Sequence, residues 1–152
     1  LRTAKRGGTL EEVAQAARKV ARNVSLLAFL DTLYFVWRSG RVRRLEYAGA
    51  SLLRLKPMLE LSRGEVRGVA RPRTRPRATL RVLKIMHQRA GSEPIHACVV
   101  HGGCLGDAEE LMRTVESEFN CDELYVSQFS PVMGAHTGPG LLGVAFWTEA
   151  SV

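Results

Sequence analysis

Apolar side chains recur at helical spacing behind Gly7-Gly8, at Leu10, Val13, Ala17, Val20 and Val24. Thr9 and Glu12 stand in front of them as a capping box, so a helix is predicted over Leu10–Asn23. The unbroken apolar run Leu26–Leu30 then reads as a short buried strand. Asp31 is placed to cap a following helix that carries Tyr34–Arg38 and ends at Gly40. Met58–Leu61 and Val66–Ala70 flank Ser62-Arg63-Gly64-Glu65, the pattern of a hairpin. Pro76 opens a further helix through about Arg89, with Leu80, Leu83, Lys84 and Met86 setting its period, since Pro is tolerated in a first turn. Beyond it, Ile95–Val100, Leu124–Phe129 and Leu141–Trp147 are predicted strands, and Asp107–Phe119 a helix between the first two. Helices and strands alternate, without repeats or low-complexity segments, so the chain reads as α/β.

Length and composition bound this picture. A chain of 152 residues, 45% hydrophobic and 24% charged, can build one sizeable core. The longest apolar candidate, Val24–Leu30, stops at Asp31, far short of the 18 or so residues a membrane span needs. Arg2, Lys5 and Arg6 lead into Gly and a capped helix instead of an apolar stretch, unlike a secretion signal. Three cysteines, Cys98, Cys104 and Cys121, make no disulfide framework, and a reducing cytoplasm is the expected setting.

The net charge of +7 is uneven. Between Arg63 and Arg89, nine Arg or Lys face the single acid Glu65. Such a field suits an acidic protein surface or a membrane surface. Nucleic acid is not the expected partner, because aromatics are absent from Tyr47 to Phe119 and no helix-turn-helix, RNP or zinc-finger pattern occurs.

Three clusters could carry chemistry. Ala135-His136-Thr137-Gly138-Pro139-Gly140 lies between the apolar segments Phe129–Met133 and Leu141–Trp147, where a strand is expected to break into a loop. Gly permits close backbone approach and His can donate a proton or hydrogen bond, so the loop can hold a small anion; it also suits a plain turn with an incidental His. His96, Cys98, His101 and Cys104 include ligands zinc prefers. Alternation along a strand puts His96 and Cys98 on one face and His101 on the other or in the loop, so no metal is expected on this set and core packing is preferred. No Gly-x-Ser-x-Gly elbow, paired carboxylates or P-loop is present; the chain is not expected to be an enzyme by itself or to need a cofactor.

Several of these segments resemble the DegV family of bacterial fatty-acid-binding proteins. Tyr34-Phe35-Val36-Trp37-Arg38-Ser39-Gly40-Arg41-Val42 is similar to that family's helix, Gly and Arg. Ala48-Gly49-Ala50-Ser51-Leu52-Leu53-Arg54-Leu55-Lys56-Pro57-Met58-Leu59 resembles its run of small residues and leucines followed by Lys-Pro. Arg73-Thr74 and His136-Thr137-Gly138-Pro139-Gly140 complete the likeness. The resemblance implies the C-terminal domain of a two-domain protein, a two-layer α/β fold with a mixed or largely antiparallel sheet and packed helices. Residues 1–24 are then expected to be a helix leading in from an upstream domain, and residues 25–152 the DegV-like domain.

The same resemblance implies a long-chain fatty acid held between two domains and a fatty acid kinase that receives its carboxylate. A carboxylate must not be buried unpaired. Arg41 offers a planar fork, although it also suits a helix C-terminus, and His136 with the backbone N–H groups of Thr137 and Gly138 can complete the head-group shell. Arg73 sits where the family has an Arg implicated in handover to the kinase. Ser39-Gly40 replaces the usual Gly-Gly, and the hydroxyl residues that hold the carboxylate belong to the family's N-terminal domain.

Overall fold

The computed structural model describes residues 2–40 and 55–149. Six strands, β1 (Ser25–Phe29), β2 (Met58–Ser62), β3 (Glu65–Ala70), β4 (Ile95–His101), β5 (Cys121–Gln128) and β6 (Leu142–Thr148), form one sheet in the order β3-β2-β1-β6-β4-β5. Every neighbouring pair is antiparallel except β4–β5. That parallel pair is joined by the crossover helix α5 (Leu105–Glu118), as parallel strands require. The sheet is thus mixed and largely antiparallel, as expected.

Before the sheet lie a short helix α1 (Arg2–Lys5) and helix α2 (Leu10–Asn23). Thr9 and Glu12 do form the capping box, each satisfying a backbone N–H at the start of α2. The apolar stripe of α2 is only partly covered by the described residues: Val13 and Val20 are half-buried, and Leu10 is 87% exposed. Helix α3 (Tyr34–Arg38) follows β1, α4 (Arg75–Ala90) follows β3, and α6 (Pro131–Thr137) follows β5. Thr74 caps α4 by accepting from the Arg77 N–H, with Pro76 in the first turn. Among the described residues no helix is long and apolar enough to cross a membrane.

Alternation along the strands gives the sheet two unlike faces. Leu27 and Phe29 of β1, Met58 of β2, Ala97 and Val99 of β4, and Val144 and Phe146 of β6 pack beneath α4 and α5. Ala78, Val82, Leu83, Ile85 and Met86 supply the α4 side, while Leu80 points to solvent at 64% exposure. Of the residues expected to set the period, Leu83 and Met86 lie in the buried stripe, whereas Leu80 and Lys84 face solvent. The opposite face carries smaller side chains along its middle, Ala28 of β1, Gly143 and Ala145 of β6, and Cys98 of β4. A Cβ at Gly143 would strike the Leu27 carbonyl and Ala28. This face is closed at one end by Leu30, Leu33, Val36, Val100 and Leu141.

The β2–β3 turn uses Arg63 and Gly64, both at positive φ (52° and 78°), the pairing a tight two-residue hairpin needs. Beside it one charge is buried. Glu60, 2% exposed at its side chain, accepts from Arg89, from Arg67 Nε at 2.8 Å and from Ser25 Oγ at 3.3 Å. The Arg89 hydrogen bond is the largest influence; with Arg67 it outweighs the opposing effect of burial and brings the Glu60 pKa down to about 2. A depressed carboxyl pKa stabilises the fold above the unfolded value and loses that contribution as pH falls through the folded one. Glu60 should therefore stabilise the protein fully above about pH 4.5 and lose the effect progressively towards pH 2. Denaturant unfolding from pH 7 to pH 2 should show a steeper loss in the wild type than in Glu60→Gln, with a difference at pH 7 of up to about 3 kcal/mol.

Candidate functional site

Because β1 and β4 each pair antiparallel with β6, they run in the same direction, and their C-terminal ends share one end of the sheet with the starts of β2 and β6. The connections gathered there carry most of the candidate residues. The Phe129 N–H donates to the His101 carbonyl (2.9 Å), the Gly140 N–H to Gly102 (2.8 Å), and the Gly102 N–H to Leu141 (2.8 Å).

Asp31 is the charge at the centre of this end. It does not cap α3, whose first turn instead uses Thr32 Oγ1 as acceptor for the Tyr34 N–H (3.1 Å). Its Oδ1 accepts from Lys56 Nζ (2.8 Å) and Arg75 Nη1 (2.9 Å), because strand β1 delivers it beside the start of β2 and the N-terminus of α4. Partial burial works to raise the Asp31 pKa, but the hydrogen bonds and charges of Lys56 and Arg75 prevail and hold it below the ordinary carboxylate range. Arg75 also donates to the Gly140 carbonyl (2.8 Å), pairs with Asp107 of α5, and lies over the Phe29 ring at 5.3 Å. Gly140, at φ +82°, packs against the Asp31 carboxylate, where a Cβ would collide. One carboxylate and one guanidinium thus fasten five connections together.

The expected loop at residues 135–140 is in part helical. Ser130-Pro131 starts α6, Pro being favoured at a first helical position, and α6 runs through His136 and Thr137. Gly138, at φ +77°, ends it by donating its N–H to the Gly134 carbonyl (2.8 Å). This changes the expected head-group shell: the Gly138 N–H is already engaged, and Thr137 belongs to the helix. The Thr137 hydroxyl donates to the Met133 carbonyl (2.9 Å) and keeps its lone pairs. His136 is half-buried, and its Nδ1 is buried without a hydrogen-bond partner among the described residues. Gly138 packs against the Phe35 ring of α3, so α6 rests on α3.

Arg41 lies outside the described residues. Arg73 is exposed just before the Thr74 cap of α4, away from the Asp31 cluster to which Arg75 turns. The basic stretch is therefore not one uniform surface. Arg67 and Arg89 pair with Glu60 and Arg75 with Asp31 and Asp107, while Arg63, Arg71, Arg73, Arg77 and Arg81 are exposed. As expected from alternation, His96 and Cys98 share one sheet face and His101 takes the other; the Cys104 thiol donates to the Leu141 carbonyl at 3.2 Å. Sequence reasoning missed the Asp31–Lys56–Arg75 cluster. The available signal was an acid directly after a buried strand together with the Lys-Pro that precedes the neighbouring one.

The connections around Asp31, Gly138 and Gly140 close one end of the mixed sheet of an α/β domain. Residues 1–149 match the model of the DegV family of uncharacterised proteins, and the chain belongs to that family. A DegV domain-containing protein of Streptomyces coelicolor is 36% identical over 143 residues, 93% of this chain and 51% of the relative. Among solved structures, a fatty-acid-binding DegV family protein from Thermus thermophilus superposes with a TM-score of 0.84 at 29% identity, covering 97% of this chain and 53% of its own. A DegV family protein from Corynebacterium glutamicum gives 0.85 at 21% identity, over 97% of this chain and 56% of its own. The chain spans about half the length of the relatives it matches.

The Gly138–Phe35 contact can be tested directly. Gly138→Ala should lose about 1–3 kcal/mol of stability, since it adds a side chain at positive φ and a methyl against the ring. The Phe35→Ala background should recover the steric part only, and chemical denaturation of the single and double variants measures both.

Proposed function

We propose that the protein is a lipid-binding protein that holds a long-chain fatty acid between two domains and presents its carboxylate to a fatty acid kinase, this chain supplying one half of the site. The observation that supports it most is the pairing, at one end of the sheet, of an apolar face floored by small side chains with a half-buried imidazole whose Nδ1 has no partner among the described residues. The likeness in both sequence and fold to the fatty-acid-binding Thermus thermophilus protein adds to it.

In this reading the acyl chain lies along Ala28, Gly143, Ala145 and Cys98, a surface with no charged group to desolvate. The carboxylate lies at the α6 end. His136 donates to one of its oxygens, Thr137 contributes through its hydroxyl, and Gly138 gives α6 its close seat on Phe35. Arg41, which follows the Gly40 that ends the α3 turn, closes the shell as the family resemblance implies. The remaining partners of the carboxylate come from an upstream domain, to which residues 1–24 lead. Binding and presentation are non-catalytic and cytoplasmic, with the reaction belonging to the kinase.

Arg73 has a different part. Exposed with Arg71, Arg77 and Arg81 around the start of α4, it offers a docking surface to an acidic partner or a membrane surface. Contacts of this kind set encounter rate and salt dependence more than ligand affinity.

Titration of long-chain fatty acid into a protein carrying both domains, with acyl-phosphate formation by a fatty acid kinase, tests the division of roles. His136→Ala or Arg41→Ala should weaken lipid binding by up to about 1–3 kcal/mol. Arg73→Ala should leave binding nearly unchanged and slow phosphorylation, most at low salt and less as salt screens the contact in the wild type. Loss of lipid binding in Arg73→Ala, or no effect from either head-group variant, would refute it.

A further inference from the structure

At the opposite end of the sheet from Asp31 and His136, three potential metal donors converge. His96 is the second residue of β4, Asp122 lies near the start of β5, and Glu149 follows β6. Sheet pairing brings these strand ends side by side, since Ile95 pairs with both Cys121 and Thr148. His96 Nε2 stands 3.7 Å from Asp122 Oδ2 and 3.7 Å from Glu149 Oε1, and the three donor atoms lie within 4.8 Å of one another.

The histidine distinguishes this group from a chance gathering of surface acids. Its side chain is 3% exposed, and Nε2 is buried without a hydrogen-bond partner among the described residues. At 3.7 Å neither carboxylate is within hydrogen-bond reach of it. The ring is fixed on both sides. Trp147 stacks on it at 4.1 Å with planes 17° apart, and Glu123 Oε2 lies 3.3 Å from Nδ1. Arg2 is 3.5 Å from Nδ1 but binds Glu123 more closely, at 2.8 Å. The better-partnered tautomer has Nδ1–H donating to Glu123, which leaves the Nε2 lone pair aimed at two carboxylates. Three donor atoms facing one point suit a metal cation between them.

We propose that His96 Nε2, Asp122 and Glu149 bind a divalent zinc ion, with Glu123 orienting the imidazole from its far nitrogen. Zinc at its usual distance of about 2.1 Å from nitrogen and oxygen ligands holds them about 3.4–3.7 Å apart, which matches both 3.7 Å distances from Nε2. A carboxylate behind a ligating imidazole is the common arrangement that fixes the ring and raises its basicity. One imidazole with two carboxylates favours zinc over magnesium or calcium, which prefer all-oxygen shells. The ion has a route in, because Trp147, Glu123, Glu149 and Arg2 border the open groove between α2 and the sheet. A fourth position is left for water or another donor. Bound there, zinc clasps the ends of three adjacent strands. The set differs from His96, Cys98, His101 and Cys104, whose members the sheet separates, and it is independent of the fatty-acid reading.

Metal-stripped protein titrated with zinc alone, by calorimetry and by competition with a chromogenic chelator, tests the assignment. One zinc per chain is expected, with a change in Trp147 emission read in a Trp37→Phe background. His96→Gln and Asp122→Asn should each weaken binding at least about tenfold. Glu149→Gln, at a position 74% exposed, should do the same. Failure to bind one zinc, as when Nε2 carries a proton, or unchanged affinity in Glu149→Gln, overturns the proposal.

Discussion

The meeting of Asp31 with Lys56 and Arg75 is the constraint on which one whole end of the molecule depends. Strand β1 ends in a carboxylate that cannot be left unpaired in a half-buried place, and its two cations arrive from segments before β2 and at the start of α4. Arg75 then spends its remaining donors on Gly140 and Asp107, so the entry to β6 and the start of α5 are fixed by the same group. Remove the acid, and Lys56 and Arg75 face each other, with the Asp107 carboxylate and the Gly140 carbonyl serving Arg75. The geometry around His136 and Gly138 is set by this arrangement because Gly140 packs on the carboxylate itself.

The basic character of the chain takes on a different meaning once these partners are known. Arg67 and Arg89 neutralise Glu60 beneath the sheet and Arg75 neutralises Asp31, so part of the positive stretch serves the interior. Facing solvent are Arg71, Arg73 and Arg77 around the α4 N-terminus, together with Arg63, Arg81 and Lys84. Alternation within a few residues between an arginine that turns inwards and one that turns outwards couples the internal framework to the charged surface through the first turn of one helix.

Much of the fold was legible because its elements carry local signals. The capping box at Thr9, the Arg63-Gly64 turn and the apolar runs of β1, β4 and β6 depend on neighbours in sequence, and each element lies within a few residues of its expected place. Residues 131–137 were misread because Val132 and Met133 look like a continuing strand, while Ser130-Pro131 and Gly138 impose a short helix. The sequence could bring Arg73, His136 and Thr137 to notice through motif resemblance, and Arg41 with them, though Arg41 lies outside the described residues. It could not reveal the role of Asp31, whose partners are 25 and 44 residues away. Likewise, whether α2 buries its apolar stripe cannot be read from periodicity, which reports the stripe and not what covers it.

The position of β6 has a consequence for how the molecule assembles. It is the last of the six strands in chain order, yet it lies between β1 and β4. The hairpin side of the sheet, β1 to β3, and the parallel pair β4–β5 share no strand pairing until β6 arrives, and β1 is more than 110 residues upstream of its partner. Joining the halves therefore closes a very long loop, the kind of non-local step that slows folding. Until then both half-sheets present open inner edges, bordered by Leu27 and Val99. The interval before β6 docks is when this chain is most open to pairing with another strand.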